Sequence, residues 1–201
     1  MAFLSEAQIC NLALLRVGQR QLINSLGEAS TEAQVCEAVY AHTRDVLLES
    51  AWWQFATRRA KLTLATEKRS GWAYVYHLPW DCVSPRYLWP GARFPAKDGR
   101  IPFDVESSAA LLSRVLCTDE ADAELVYTAS VITPALFSAK FQQALSWALA
   151  VELTLSLPVK PQLAANAAAM ARATLLDAIA TERAQAELDV EPEAAHIRAR
   201  G

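Results

Sequence analysis

The sequence lacks the features that would indicate a membrane protein, a metal centre or a disulfide framework. Its longest apolar run is interrupted by Ser146, Glu152 and Thr154, and is too short for the roughly 20 apolar residues of a membrane span. The first residues show no basic start followed by an apolar segment of signal-peptide length, so we expect the chain to be made and kept in the cytoplasm. The four cysteines contain no CxxC pair, which favours small buried side chains over zinc ligands; no metal and no cofactor is predicted.

Charge of either sign is also scarce. Only 20% of the residues are charged, and 19 basic against 22 acidic side chains leave a net charge of −3. A surface that grips duplex DNA needs an excess of cations to neutralise phosphates, so tight DNA binding is not expected. Hydrophobic residues make up 53% of the 201 residues, which is enough to bury a core in one large domain or two small ones.

A capping-box spacing opens each of the two N-terminal helices that the sequence predicts. Ser5 and Gln8 open the first helix, which runs to about Val17. Thr31 and Gln34 repeat the spacing and open the second.

The second helix is predicted to be long and to end near Trp52. Four of its residues recur at helical spacing on one face, which we expect to point inward: Val35, Val39, His42 and Val46. His42 is therefore predicted to be a hydrogen-bonded core histidine, because the other two histidines lie at no metal-binding spacing from it.

Two more helices are predicted in the C-terminal part. One follows Pro134 and stops at Pro158, since proline cannot continue a helix. The last extends beyond Pro161 to about Leu188 and is rich in alanine, which favours helix and lets neighbouring helices approach closely.

The middle of the chain, from Thr57 to Ser130, has a β pattern of short aromatic and β-branched segments separated by proline and glycine. Turns at Lys68–Gly71 and Thr118–Asp122 are predicted to join antiparallel neighbours. The predicted strands are Arg59–Thr66, Trp72–His77, Arg86–Trp89, Ile101–Glu106, Leu111–Cys117 and Glu124–Ala129.

Helices at both ends with strands between them predict an α+β fold, in which a helical bundle carries an inserted antiparallel β domain. The predicted bundle comprises residues 1–56 and 134–188, and the β-rich domain comprises 57–133. The polar segment 189–201 is predicted to be a flexible C-terminal tail.

Five blocks of sequence, in this order over nearly the whole chain, resemble the tail tubular protein A family of short-tailed bacteriophages. They are ICNLALLRVGQ (Ile9–Gln19), a Ser/Thr-Glu-Ala-x-x-Cys-x-x-x-Tyr stretch (Thr31–Tyr40), RDVLLESAWWQFA (Arg44–Ala56), GWAYVYHLPWDC (Gly71–Cys82) and FQQALSWALAVELTLSL (Phe141–Leu157). No single block carries chemistry, so the resemblance rests on all five in sequence.

The resemblance implies a structural head-to-tail adaptor of the virion, assembled in the host cytoplasm. Such a subunit forms a dodecameric ring that links the portal protein to the tail nozzle protein and surrounds the channel through which DNA passes without specific binding. Because a loose segment can become ordered on docking, the charged residues of the tail are our candidates for the portal contact. They are Asp189, Glu191, Glu193, His196, Arg198 and Arg200.

Glu152 is the one charge on the apolar face of the third predicted helix, where an unpaired carboxylate would be costly. Arg16, Arg44 and Arg172 lie on predicted helices and are its candidate partners. A structural ion pair is favoured over a general acid at this position.

Two aromatic groups could either pack in a core or stack on a sugar or a single nucleic-acid strand. Packing is favoured, because large aromatic side chains dominate core energetics and no basic groove lies nearby in the sequence. The groups are Trp52, Trp53 and Phe55, and the alternating Trp72, Tyr74 and Tyr76 of one strand.

Asp104 and Glu106 are the carboxylates that a glycan-cleaving enzyme would need, since they lie on one face of a predicted strand. Any strand can present such a pair, and no Ser-His-Asp or Cys-His arrangement is evident. The chain is therefore predicted not to be an enzyme. A glycan hydrolase carried in the virion and a free-standing helical binding module stay open as alternatives to the ring adaptor.

Overall fold

The computed structural model describes residues 4–91 and 100–188 of the chain. It confirms the α+β fold, with helices at both ends and two antiparallel sheets between them. The helices are α1 (Glu6–Arg16), α2 (Thr31–Ser50), α3 (Ala139–Ser156) and α4 (Pro161–Leu188). The strands are β1 (Thr57–Lys61), β2 (Thr63–Leu64), β3 (Tyr74–His77), β4 (Cys82–Leu88), β5 (Phe103–Ser108), β6 (Ser113–Thr118) and β7 (Glu124–Ala129).

The chain divides into two compact units. The helical unit consists of the segments up to Phe55 and from Val131 onward, and the β unit is the segment Ala56–Ser130 between them. Compared with this β unit, the predicted β domain, 57–133, begins one residue later and ends three residues later. The predicted tail, 189–201, lies outside the described residues.

α1 begins as its sequence predicts. The Ser5 side chain accepts a hydrogen bond from the Gln8 backbone N–H, and the Gln8 side chain accepts one from the Ser5 N–H, which completes a capping box. After the helix, Gly18 has a φ of +82°. This conformation favours glycine, and a Cβ at that position would also lie 3.0 Å from Leu163 Cδ1 of α4, which would have to shift slightly.

α2 differs from its prediction at its start and in its buried face. Ser30, and not Thr31, is the N-cap, since its hydroxyl accepts a hydrogen bond from the Ala33 N–H. His42 and Val46 are exposed, so the prediction of a core histidine was wrong. The buried residues are Ala33, Cys36, Tyr40, Thr43, Arg44, Leu47 and Leu48. This neighbouring stripe is the face of α2 that is turned inward, where the helix packs on α3.

α3 is the central helix of its unit and contacts α1, α2 and α4. At its first turns the ring of Phe141 meets those of Trp53, Phe55 and Phe137, each with centroids 5.0 Å apart and edge-to-face or nearly so. The buried Trp53 also donates its indole N–H to the Leu47 carbonyl at 2.8 Å. Trp53 and Phe55 therefore lie in a packed aromatic cluster, as the sequence favoured, whereas Trp52 is about half exposed and does not belong to the core.

The β unit contains two antiparallel sheets, with strand orders β1-β7-β4 and β2-β3-β6-β5. Both sheets contribute to one core cluster: Tyr76, Cys82, Leu88, Leu116, Ala123, Leu125, Tyr127 and Ala129. The predicted first strand is divided, because the chain passes from one sheet to the other at Leu62. The segment after Thr118 joins β6 to β7 in different sheets, so it is not the hairpin turn that the sequence predicted.

Two strands of the β unit depart from the sequence pattern for local reasons. β4 continues through Pro85, which a central strand would not tolerate; β4 is an edge strand, and its register with β7 shifts on either side of Pro85. β3 begins only at Tyr74. Tyr74 and Tyr76 share the face toward the main core, with ring centroids 6.2 Å apart, whereas Trp72 packs with Val75 against the opposite face. The predicted three-residue aromatic face is therefore limited to the two tyrosines.

Candidate interaction surfaces

α4 is a long helix whose apolar residues are mostly left uncovered. One face packs on α3 through Ala167, Thr174 and Ala178. The opposite side carries a second apolar stripe, exposed along its whole length: Ala165, Ala169, Ala173, Leu176, Ala180 and Ala184. By length and composition Pro161–Gln185 could cross a membrane, although the sequence predicted no span, and only 17% of its most apolar part is buried in the chain. We call this stripe and its flanking charges the α4 face.

The charges beside the exposed stripe of α4 are predominantly basic. Arg172 and Arg183 are exposed, and neither forms an ion pair with any residue in the described ranges 4–91 and 100–188. Asp177 is bound by Lys140 of α3, which neutralises it. The α4 face is therefore apolar along its centre and carries two unneutralised cations.

α2 presents an outward surface of the opposite sign. Glu37 and Glu49 are exposed, as are Ala38 and Ala41 between them. Neither glutamate forms an ion pair within the part of the chain that the structure describes. We call these four residues the α2 face. Like the α4 face, it has small apolar side chains at its centre and charges at its flanks.

The β unit exposes a tryptophan on a firmly held turn. Trp80 is 93% exposed, while its neighbour Asp81 is buried. The Asp81 carboxylate binds Arg58 Nη1 at 2.5 Å and accepts a hydrogen bond from the Tyr127 hydroxyl at 3.0 Å. The Asp81 carbonyl accepts a further one from the Ser130 N–H at 2.8 Å. These contacts hold the backbone of the turn at Asp81, and the neighbouring indole of Trp80 points into solvent.

Leu112, which is 91% exposed, lies at the same end of the four-stranded sheet as Trp80. The register shows this, because His77 of β3 lies opposite Val115 of β6. Trp80 follows His77 by three residues, and Leu112 precedes Val115 by three. Leu112 also has a φ of +48°, an uncommon conformation for a leucine, at the tip of the β5–β6 hairpin. We call Trp80 and Leu112 the β tip.

The predicted ion pair of Glu152 is not formed among the described residues. Glu152 is only partly buried, so its carboxylate can reach water. Of its three candidate partners, Arg172 is exposed on α4, and Arg44 is buried and binds its neighbour Asp45 at 2.9 Å.

The third candidate, Arg16, is held elsewhere on α3. Its guanidinium donates to the Ser146 hydroxyl and to the Gln143 carbonyl, and lies 4.1 Å from the ring centre of Trp147. Partial burial lowers the pKa of Arg16 to about 10. Ser146 and Trp147 were not predicted to bind a charge, because their pairing with α1 depends on the bundle.

Asp104 and Glu106 do not form an isolated acidic pair. Glu106 Oε2 lies 3.0 Å from Arg69 Nε, and the same guanidinium binds Glu67 at 3.1 Å. Asp104 is exposed on β5, an edge strand. The carboxylate of Glu106 is thus engaged in a surface ion-pair network.

The cysteines are buried free thiols. A hydrogen bond between the thiols of Cys10 and Cys36, together with burial, raises the pKa of Cys10 well above its usual value. Burial likewise raises the pKa of the adjacent Tyr40, whose hydroxyl has no hydrogen-bond partner among the described residues. The hydrogen bond between Cys10 and Cys36 lowers the pKa of Cys36. Burial also raises the pKa of Cys82 and Cys117, and a buried thiol with a raised pKa is a poor nucleophile. Within residues 4–91 and 100–188, no cluster of three histidine, cysteine or acidic side chains is arranged to hold a metal ion.

The six predicted portal-docking residues of the tail lie outside the described residues. Two buried carboxylates were missed by sequence reasoning. Asp81 follows a Pro-Trp pair in a turn, and Glu182, on α4, accepts a hydrogen bond from the Gln54 N–H at 3.1 Å. A carboxylate in an otherwise alanine-rich helix was the available signal for Glu182, but its partner lies more than a hundred residues away.

Compared with known protein families and with curated proteins, the chain has no significant match.

Proposed function

We propose that the chain is a structural subunit of a ring in the neck of a short-tailed bacteriophage, joining the portal protein to the tail nozzle and surrounding the path of the DNA. The five sequence blocks that resemble tail tubular protein A support the location of this role in the virion. In this structural role the chain acts by binding other protein subunits and catalyses no reaction.

The observation that carries the proposal is the uncovered apolar side of α4. Soluble monomers rarely leave a long contiguous apolar strip exposed, and such strips mark protein or membrane contacts. With six apolar residues spread from Ala165 to Ala184, the α4 face extends about 28 Å along the helix axis. A subunit that is covered by identical neighbours in a ring would need a surface of this kind.

The β tip supplies a second contact of a different type. Large aromatic side chains such as tryptophan are enriched among the residues that contribute most to binding at interfaces, because they bury much apolar area with few rotatable bonds. We assign Trp80 and Leu112 to the contact with the tail nozzle. Trp80→Ala with Leu112→Ser should therefore leave ring assembly intact and weaken nozzle binding.

Mass photometry of the purified chain, alone and with the portal protein of the same phage, tests the proposal. We expect a large closed ring to form, either by the chain alone or after the portal protein is added. A persistent monomer that does not bind the portal protein would contradict the proposed function. A chain that ends at Leu188 tests the tail separately, since undiminished portal binding by that chain would exclude Asp189–Gly201 as the portal contact.

A further inference from the structure

The two charged residues of the α4 face and the two of the α2 face have nearly the same spacing along their helices. Arg172 and Arg183 are 11 positions apart in the sequence, which corresponds to about 16 Å along a helix. Glu37 and Glu49 are 12 positions apart, or about 18 Å. Each pair of charges could therefore approach the other along two packed helices.

The two faces also match in shape. The centre of the α4 face is formed mainly by alanine, and Ala38 and Ala41 lie between the glutamates of the α2 face. Short side chains on both sides let helix backbones approach closely, and ridges of one helix can then fill the grooves of the other. Both helices pack on α3 within one chain and leave these surfaces outward, so each is accessible to another molecule.

We propose that the α4 face of one copy of this chain binds the α2 face of the next copy, with Arg172 and Arg183 opposite Glu37 and Glu49. The inference rests on the proposed function, to which it adds the contact between neighbouring subunits. Pairing the α4 face with itself would bring arginines together, and pairing the α2 face with itself would bring glutamates together. Opposite charges thus select the head-to-tail arrangement, and repetition of a head-to-tail contact forms a ring if the rotation closes.

A membrane is the other occupant that the composition of α4 would suit. Arg172 and Asp177 lie near the middle of the apolar stretch, where each would be costly in a bilayer. Alanine also gains little from transfer into lipid, while it favours close packing of helices. A second copy of the chain with a complementary acidic face accounts for both features.

Charge reversal on each face gives a matched pair of variants. The first carries Arg172→Glu and Arg183→Glu, and the second carries Glu37→Arg and Glu49→Arg. All four positions are exposed on helices, and both arginine and glutamate are good helix formers, so unchanged circular dichroism melting should show that both variants fold. Sedimentation velocity at low salt measures self-association of the wild type, of each variant and of their equimolar mixture.

We expect each variant alone to associate at least about tenfold more weakly than the wild type, because its two faces then carry charges of the same sign. The mixture should regain association, since the reversed α4 face of one variant meets the reversed α2 face of the other while the unaltered faces pair as before. A chain with all four substitutions should associate like the wild type.

Cysteine cross-linking locates the contact independently. Ala173→Cys in one preparation and Ala41→Cys in another should form a mixed disulfide when the two are combined under mild oxidation, since the native cysteines are buried. A homotypic Ala173→Cys product in place of the mixed one would overturn the head-to-tail contact.

The remaining outcomes separate this inference from the proposed function. Unchanged association of both charge variants, or no self-association of the wild type at any accessible concentration, would overturn the α4–α2 contact. Ring formation on the portal protein by those same variants would then leave the adaptor function standing. Binding of the wild-type chain to phosphatidylserine vesicles, lost in the Arg172→Glu and Arg183→Glu variant, would assign the α4 face to a membrane and contradict the contact.

Discussion

The helical unit and the β unit differ in what they leave to solvent. The β unit encloses its core between two sheets and buries a charged group, Asp81, with partners from β1 and β7. The helical unit gathers its core around α3 and leaves an apolar side of α4 uncovered. A sheet sandwich can cover its own apolar faces, whereas a peripheral helix with two apolar sides needs a further partner.

The difference implies that stability and association are separable in this protein. Substitutions in the aromatic cluster or around Asp81 should act on folding, while substitutions on the α4 and α2 faces should act on assembly. Substitutions in each unit test that separation.

Phe141→Ala should have the largest effect. Its ring is fully buried among Trp53, Phe55 and Phe137, so its removal leaves a cavity at the start of α3 and should lower the free energy of unfolding by about 3–5 kcal/mol. Chemical denaturation measures the loss. Leu155→Ala on the same helix is the control, since Leu155 is exposed and its loss should cost little.

Amide hydrogen exchange of Phe141→Ala tests whether the two units unfold independently. We expect protection to fall in α1, α2 and α3 and to be kept in β3 and β6, because each unit has its own core. An equal loss of protection in both units would break the separation.

Asp81→Asn should have the second largest effect. It removes the charge that binds Arg58 and weakens the acceptor for the Tyr127 hydroxyl, at a side chain that is 4% exposed. Because Arg58 itself is about half exposed, water screens part of the ion pair, and we expect a loss of about 2–3 kcal/mol. Thermal unfolding measures it, and Asp104→Asn on the surface of the same unit should leave stability unchanged.

Alkaline pH should destabilise the β unit through Tyr127. Burial, together with its contact to Asp81, raises the pKa of Tyr127 to about 12, above the value of about 10 for an unfolded chain. The folded state therefore holds the phenolic proton more tightly. The stabilisation from this tightly held proton is fully present below about pH 10 and is lost as the pH rises through about 12, by about 3 kcal/mol at most for a shift of two pKa units.

Denaturation between pH 9 and 12 tests this titration. Tyr127→Phe removes the titrating group and should flatten the part of the pH dependence that Tyr127 contributes. A wild-type curve and a Tyr127→Phe curve with the same alkaline slope would contradict the assignment.

Ser30→Ala should have the smallest effect, about 1 kcal/mol, because it removes the hydroxyl that caps α2 at the Ala33 N–H. Thr31→Ala is the matched control and should be near neutral, since Thr31 is the first residue within the helix and is exposed. Thermal unfolding of the two variants identifies the capping residue, and a larger loss in Thr31→Ala than in Ser30→Ala would make Thr31 the N-cap in place of Ser30.

The fold class was predictable from sequence because its signals are local. The Ser5 capping box and the β pattern between the helices each depend on neighbours within a few positions. The inward face of α2 was not predictable in the same way. Two adjacent stripes of that helix both repeat at helical spacing, and contact with α3 selected the one that contains Tyr40 and Leu47.

The candidate surfaces were largely beyond sequence reasoning. The alanine bias of α4 was evident, but its exposure depends on how little of the helix α3 can cover. The partners of Arg16 and Asp81 lie on other elements, so neither contact has a signature in the flanking sequence. Asp104 and Glu106 matched a carboxylate spacing, and only the sheet shows that Arg69 binds one of them.

Local patterns in the sequence were enough to tell the helical segments from the β segments, because capping, helical and alternating patterns act over a few residues; the bounds of the strands were less well predicted. The tertiary structure alone decided which helix faces are buried, which strands share a sheet, and which charges find partners. These outcomes depend on contacts between residues far apart in the chain, such as Gln54 with Glu182, and no local pattern specifies them. For the same reason, the sequence alone does not show that the oppositely charged α2 and α4 faces are available for binding, because their exposure depends on how the bundle packs.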